Sequence, residues 1–247
     1  MRIALWTVLL ALNIGGIVCA QAPMPSPLQT TSGTGFTGVP YSGKEITSIV
    51  QTAANGVKNT STSVTLLWRD NEGRTRQEHL QQTPSGAEYR SVVITDPVAG
   101  VYLKWTIADE PASHTVTIWP MPARQRVTAP PPAAAPTVSG QQRCGPECSR
   151  EALTPQMING VYAEGTRTKR IVQTGAAGSN QSLMTTNELW ISPDLRIIVR
   201  HVMDNPLGGL TTTNVTDVVR SDPDPALFVA PEGYVVRDTR QNPSSLN

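Results

Sequence analysis

Aromatic residues are scarce in this sequence: they make up 5% of the chain, and only two are Phe. The apolar content therefore rests on Val, Ile, Leu and Ala, whose β-branched members favour strands. Beyond residue 20 no apolar run approaches the ~20 residues of a spanning helix, so no transmembrane helix is expected in the mature chain. Neither sign of charge dominates, with 20 Lys+Arg against 19 Asp+Glu. No basic run is long enough to follow a phosphate backbone, which argues against a nucleic-acid partner. A Gly-x-Ser-x-Gly elbow is absent, and His79, His114 and His201 fall at no metal-ligand spacing. No metal and no cofactor is expected. Gly33-Thr-Gly35-Phe-Thr-Gly38 carries the letters of a dinucleotide fingerprint, but a Pro/Ser stretch precedes it and Val39-Pro40 follows, where a strand and a helix are required.

Cysteine is also rare, and the three present fall in two places. Cys19 closes the segment 1–20, which has one positive charge at Arg2, an apolar stretch from Ile3, and Val18-Cys19-Ala20 before Gln21. That layout predicts a secretory signal peptide. Cleavage near Ala20 makes the mature protein periplasmic or extracellular; acylation at Cys19 is the alternative, disfavoured by the bulky Val18. Cleavage after Ala20 leaves Cys144 and Cys148 as an even pair. In an exported chain such a pair reads as a small structural disulfide rather than as a redox motif, because no strand-helix context surrounds it.

Residues 21–41 are rich in Pro, Ser, Thr and Gly without hydrophobic period and read as a flexible leader. Residues 120–142, containing Ala129-Pro-Pro-Pro-Ala-Ala-Ala-Pro136, read as a long internal loop within one β domain spanning 42–238, and residues 239–247 as a disordered tail.

The remaining chain alternates short β-type runs with turn chemistry at residues 54–56, 70–73, 84–86, 96–100, 175–180, 192–194 and 205–209. In residues 101–107, Val101, Leu103, Trp105 and Ile107 point one way and Tyr102, Lys104 and Thr106 the other. Residues 114–119, 157–163, 166–174, 183–191, 195–203 and 210–220 read as further strands. Residues 149–153 and 223–228 are candidate helical turns, the latter capped by Ser221 or Asp222. About ten strands in this order predict a mainly β fold, a single curved antiparallel sheet of half-barrel type with few short helices; a β-sandwich is the alternative.

Asp70, Glu72, Asp96, Asp194, Asp204 and Asp222 all fall at expected turns, which gives them structural work and leaves a hydrolase the weakest of the functional readings. Trp68, Trp105, Trp119 and Trp190 lie on or beside strands. They are either core residues or, together with Val101, Leu103, Leu189, Ile191, Ile197 and Val199, the lining of an apolar ligand site.

Several phrases carry a resemblance: Trp68-Arg-Asp-Asn-Glu-Gly-Arg-Thr-Arg76, Ile94-Thr-Asp-Pro-Val-Ala-Gly-Val-Tyr102, Gly160-Val-Tyr-Ala-Glu-Gly-Thr-Arg167, Glu188-Leu-Trp-Ile-Ser-Pro-Asp-Leu195 and Asp222-Pro-Asp-Pro-Ala-Leu-Phe228 followed by Pro231-Glu-Gly-Tyr234. Across residues 40–238 the chain resembles exported β-rich proteins of acidobacterial type. More distantly it is similar to the LolA-like superfamily of periplasmic lipoprotein carriers and envelope-stress regulators. That resemblance implies a half-barrel whose concave side takes up acyl chains. The expected function is thus a non-enzymatic envelope protein that binds a lipid, a lipoprotein or another apolar ligand. The alternative is an interaction module that contacts another envelope protein through its sheet. One departure is visible, since the carriers cover the opening with substantial helices and this sequence offers few.

Overall fold

The computed structural model describes residues 36–53, 55–82, 86–108, 114–121, 147–172 and 182–241. The expected signal peptide, most of the leader and of the Pro/Ala loop, Cys144, the turn at 175–180 and residues 242–247 lie outside the described residues.

Twelve strands form one sheet: β1 Tyr41–Thr52, β2 Lys58–Arg69, β3 Thr75–Gln82, β4 Glu88–Asp96, β5 Val101–Ala108, β6 Thr115–Pro120, β7 Cys148–Ile158, β8 Val161–Val172, β9 Leu183–Ser192, β10 Ile197–Asn205, β11 Gly209–Val219 and β12 Val235–Asp238. Their order is β12-β6-β5-β4-β3-β2-β1-β11-β10-β9-β8-β7. The fold is thus two meanders joined where the first strand of one pairs antiparallel with the last strand of the other, β1 with β11. Only β12 runs parallel to its neighbour, β6. The sheet is open and curved, and its helical content among the described residues is confined to 3-10 turns at Pro225–Phe228 and Thr239–Gln241.

Local chemistry sets the turns. Asp70 accepts the backbone N–H groups of Glu72 and Arg74 at 3.0 and 2.8 Å and also the Arg74 guanidinium, while Gly73 takes φ +82°. Residues 157–163, expected as one strand, are divided by a two-residue turn in which Asn159 and Gly160 take φ of +48° and +79°. Asn-Gly is the pair that a tight hairpin turn demands. Residues 149–153, expected as a helical turn, lie within β7 and pair with β8. Ser-Arg-Glu-Ala-Leu is compatible with helix locally, but a ladder of backbone bonds to a neighbouring strand overrides so weak a preference. The helical turn near the C-terminus does form, over Pro225–Phe228. Its cap is Asp224, which accepts from Ala226 N, and not Ser221 or Asp222.

Two buried clusters organise the sheet. Tyr41, Leu67, Ile158, Val161, Ala163, Trp190, Leu195, Ile197, Val199 and Val215 form one, and Val92, Ile94, Trp105, Val116 and Phe228 form the other, with Trp68 packed against it. Leu67 and Trp68 are consecutive in β2, so the clusters occupy opposite faces of the sheet. In the first, the β7–β8 turn is folded back onto β11, where Asn159 Nδ2 donates to the Val215 carbonyl at 2.9 Å. Tyr41, placed in the leader from sequence, opens β1 and is 1% exposed; burial pushes its hydroxyl pKa up to about 12. Beside it Arg69 is fully buried and donates to the carbonyls of Val39 and Leu195. Burial pulls the Arg69 pKa down, and nearby Arg196 pulls the same way.

Candidate functional site

The second cluster is a lattice of cross-strand neighbours on β2 to β6. Trp68, Arg76, Ile94, Leu103 and Ile118 stand in register across five strands. The next row up holds Leu66, Glu78, Val92 and Trp105, and the row above holds Val64, Leu80, Arg90 and Ile107. Because strand residues two apart share a face, all of these side chains project from the same side of the sheet. The result is an apolar floor crossed by three charges on neighbouring strands.

Those charges form a chain. Arg76 donates to Glu78 Oε1 through Nε at 2.9 Å and Nη2 at 2.6 Å, and Arg90 Nη1 donates to Glu78 Oε2 at 3.0 Å. Arg76 and Glu78 are both buried, whereas the Arg90 side chain is 47% exposed. The Arg76 guanidinium also lies over the Trp105 and Trp68 rings, 5.1 and 5.9 Å from their centroids. A buried ion pair is retained only when its remaining donors are satisfied, and here Arg76 Nη1 donates to the Leu227 carbonyl at 2.6 Å. The Trp105 indole N–H is different: it is buried and has no hydrogen-bond partner among the described residues. Leaving such a donor unpaired costs about 1–3 kcal/mol.

The roof over this floor is the segment after β11. Leu227, Phe228, Ala230 and Tyr234 pack on the cluster. Besides the Arg76–Leu227 bond, the roof is tied by Asp222, which accepts from Asn71 N and Nδ2 at 3.1 and 2.8 Å, and by Tyr234 OH, which donates to the Thr106 carbonyl at 3.3 Å. Phe228 lies under the Arg74 guanidinium, and the rings of Tyr234 and His114 meet at 5.0 Å. The roof is short chain and one 3-10 turn, as the scarcity of helix in the sequence implies.

The residues expected to line a ligand site are divided between the faces. Trp68, Leu103 and Trp105 come together here, and Val101 lies buried two residues before Leu103 on the same side of β5. Trp190, Ile197 and Val199 belong to the other cluster. Leu189 and Ile191 are half-buried and alternate with Trp190, so they face the opposite way. Around Trp190 space and polarity are both used up. Its Nε1 donates to Glu188 Oε1 at 3.2 Å, and Arg167 bridges Glu188 and Glu151 at 3.0 and 2.8 Å. Partial burial raises the Glu188 pKa, but hydrogen bonds from Arg167 and Trp190 outweigh it and leave the carboxyl below the usual range.

Arg76, Glu78, Arg90, Leu227, Phe228 and Tyr234 were not singled out from the sequence as site residues. The usable signal was the alternation in β3, where Arg76 and Glu78 share a side that the flanking strands make apolar. Of the turn carboxylates, Asp96 accepts from Ala99 N at 2.8 Å, Glu72 pairs with Arg74 at 2.8 Å and Asp194 with Arg220 at 3.6 Å, alongside the turn role of Asp70 and the roof tie of Asp222. Cys148 opens β7, and its expected partner Cys144 is not among the described residues. Among the described residues no group of three or more His, Cys, Asp or Glu is placed to hold a metal, and no helix is long and apolar enough to cross a membrane.

No family model and no curated protein matches the sequence. Among solved structures the chain is similar to a DUF1329 family protein from Desulfovibrio piger, at 8% identity and a TM-score of 0.30, covering 78% of this chain and 90% of that one. It is also similar to a LolA superfamily protein from Nitrosomonas europaea, at 9% identity and a TM-score of 0.27, covering 80% and 93%. A third is a putative outer membrane lipoprotein-sorting protein domain from Vibrio parahaemolyticus, at 9% identity and a TM-score of 0.27, covering 76% and 88%. Two of the three bear the LolA or lipoprotein-sorting name that the sequence resembles. The acidobacterial likeness has no counterpart among them.

Proposed function

We propose that this chain is an exported binding protein, not a catalyst, that holds a ligand with an acyl-type apolar chain on the floor formed by Trp68, Leu103, Trp105 and Ile107. The single observation that carries the reading is the mismatch between floor and roof. An apolar surface in register over five strands is covered by a 3-10 turn and irregular chain, with three polar ties through Arg76, Asp222 and Tyr234. Each such tie contributes about 0.5–1.5 kcal/mol net, up to about 3 where a charge is involved. Burying an alkyl chain returns about 0.8 kcal/mol per CH₂, so a chain of about ten carbons is comparable with the polar ties of the roof. Export rests on residues 1–20.

Protein purified without detergent and examined by native mass spectrometry is expected to carry acyl lipid, and the delipidated protein to bind a fluorescent fatty acid. Replacing Leu103 with Asp is expected to abolish that binding while far-UV circular dichroism stays that of a β protein. An empty protein that ignores the probe would overturn the reading.

A second reading, an envelope protein that pairs with another through its sheet, is favoured by β7. The bond from Ile171 N to Glu147 O at 2.9 Å fixes the ladder so that Cys148, Arg150 and Ala152 turn their backbone groups away from β8. A stoichiometric partner lost on Arg150→Pro, which leaves the β8 ladder intact, would support it.

A further inference from the structure

We infer that the ligand has an anionic head group and that Arg90 receives it; this rests on the proposed apolar site and names the class of molecule it takes. Arg90 stands at the end of the floor away from the 3-10 turn. In register it has Leu80 on one side and Ile107 on the other. Leu80 is 41% exposed and the Arg90 side chain 47%, whereas Val92 and Ile94, further along β4, are fully buried. The surface therefore runs from a dry apolar interior to a half-open mouth at which a guanidinium is flanked by aliphatic side chains. That is the surface complement of an amphiphile.

The charges at the mouth favour an anion. Glu78 is shared, Oε1 to Arg76 and Oε2 to Arg90, so two guanidinium groups face one carboxylate. The bond to Glu78 uses one nitrogen of Arg90, and Nε and Nη2 make no other bond to a described residue. Among the described residues this planar guanidinium is held from one side, and its other edge is a preformed fork for a carboxylate or phosphate. Glu88 is the other carboxylate on this stretch of β4. It accepts from Gln82 Nε2 at 3.3 Å and makes no ion pair with Arg90 among the described residues. Asp96, at the far end of the strand, is used by the turn to Ala99.

The test compares single-chain amphiphiles of one chain length with four heads: a fatty acid, an alkyl phosphate, a fatty alcohol and an alkyl trimethylammonium. Delipidated full-length mature protein is titrated by displacement of a neutral fluorescent alkyl probe. The acid and the phosphate are expected to bind about tenfold tighter than the alcohol, and the ammonium more weakly than the alcohol. A gain for the acid alone identifies a carboxylate head, and a gain for the phosphate alone a phospholipid-type head; either supports the inference. Arg90→Gln is expected to reduce acid and phosphate to the affinity of the alcohol while alcohol binding stays unchanged. Arg90→Lys keeps part of the gain, and Arg150→Gln on the far edge strand keeps all of it. Thermal melts of each variant report folding, so loss of alcohol binding in a folded Arg90→Gln protein counts against a head-group role. Equal binding of acid and alcohol by the unaltered protein overturns the role of Arg90 and leaves the apolar site standing; failure of every amphiphile overturns the apolar site itself.

Discussion

The Trp190 ring lies directly over Gly165: a methyl group at Gly165 would meet Cε3 and Cζ3 of the indole at 2.7 Å. The two residues are cross-strand partners on β8 and β9, and the missing side chain of one is the space that the other fills. Gly165→Ala is therefore expected to destabilise the protein by about 1–3 kcal/mol, the cost of overpacking a filled core. Urea unfolding measures it. A Trp190→Leu background should remove most of the effect, and a penalty that persists there would point to backbone strain instead.

Arg69 fastens two distant stretches of chain, since its guanidinium holds the carbonyls of Val39 and Leu195 within a buried site. Arg69→Met is expected to cost about 2–4 kcal/mol, because both carbonyls lose a charged donor and stay away from water. Arg69→Lys should recover only part, as an ammonium lacks the planar fork that reaches both. Melting temperatures of the three proteins rank the effect.

Acid should weaken the fold well above the carboxylate range. Burial pulls His79 below its usual 6.5, with Lys104 acting in the same direction, and burial alone does so for His201. The unfolded chain then takes up protons near 6.5 while the folded one resists until lower pH. Stability is complete above 6.5 and falls as the pH drops from there towards the lowered folded-state values. Unfolding curves between pH 8 and pH 5 should show the decline, and His79→Gln with His201→Gln should flatten it.

The turn between β7 and β8 needs its glycine. Gly160 has φ +79° with open space around its α-carbon, so an added methyl meets strain and no clash. Gly160→Ala should cost about 1–2 kcal/mol. Asn159→Gly, at φ +48°, eases the backbone but deletes the bond from Asn159 Nδ2 to the Val215 carbonyl, and should cost about 0.5–1.5 kcal/mol through that bond. Denaturant midpoints separate the two.

Intact mass tests the exported form. Mature protein is expected to begin at Gln21 and to be lighter before reduction than after it by the hydrogens of one Cys144–Cys148 bond. Serine in place of both cysteines should lower the melting temperature only slightly, since a short loop restrains the unfolded chain little. Acylation at Cys19 would replace this outcome with a heavier, lipid-bearing terminus.

The meander pattern was legible because turn residues and alternation act locally. Asp70 with Gly73, and Leu103 with Trp105, mean the same thing in the sequence as in the fold. Local reading failed where a remote neighbour decided. Residues 149–153 have no periodicity that excludes helix, and only β8 beside them makes them strand. Residues 157–163 differ, because the Asn159-Gly160 pair that divides them is itself a local hairpin signal.

Composition, alternation and turn chemistry determined by themselves that this protein is a mainly β chain, since they fix backbone preference and the wet and dry sides of each strand without reference to anything far away. The sequence also put Trp68, Leu103, Trp105, Trp190, Ile197 and Val199 into one set of apolar candidates. It did not divide them. That β1 pairs with β11, that Trp105 lies under a roof with its N–H unpaired among the described residues while Trp190 sits packed on Gly165, and that Arg76, Glu78 and Arg90 converge beside the apolar floor are matters of register between strands. Register depends on which strands become neighbours, and that is set by the joint burial of both clusters rather than by any one segment.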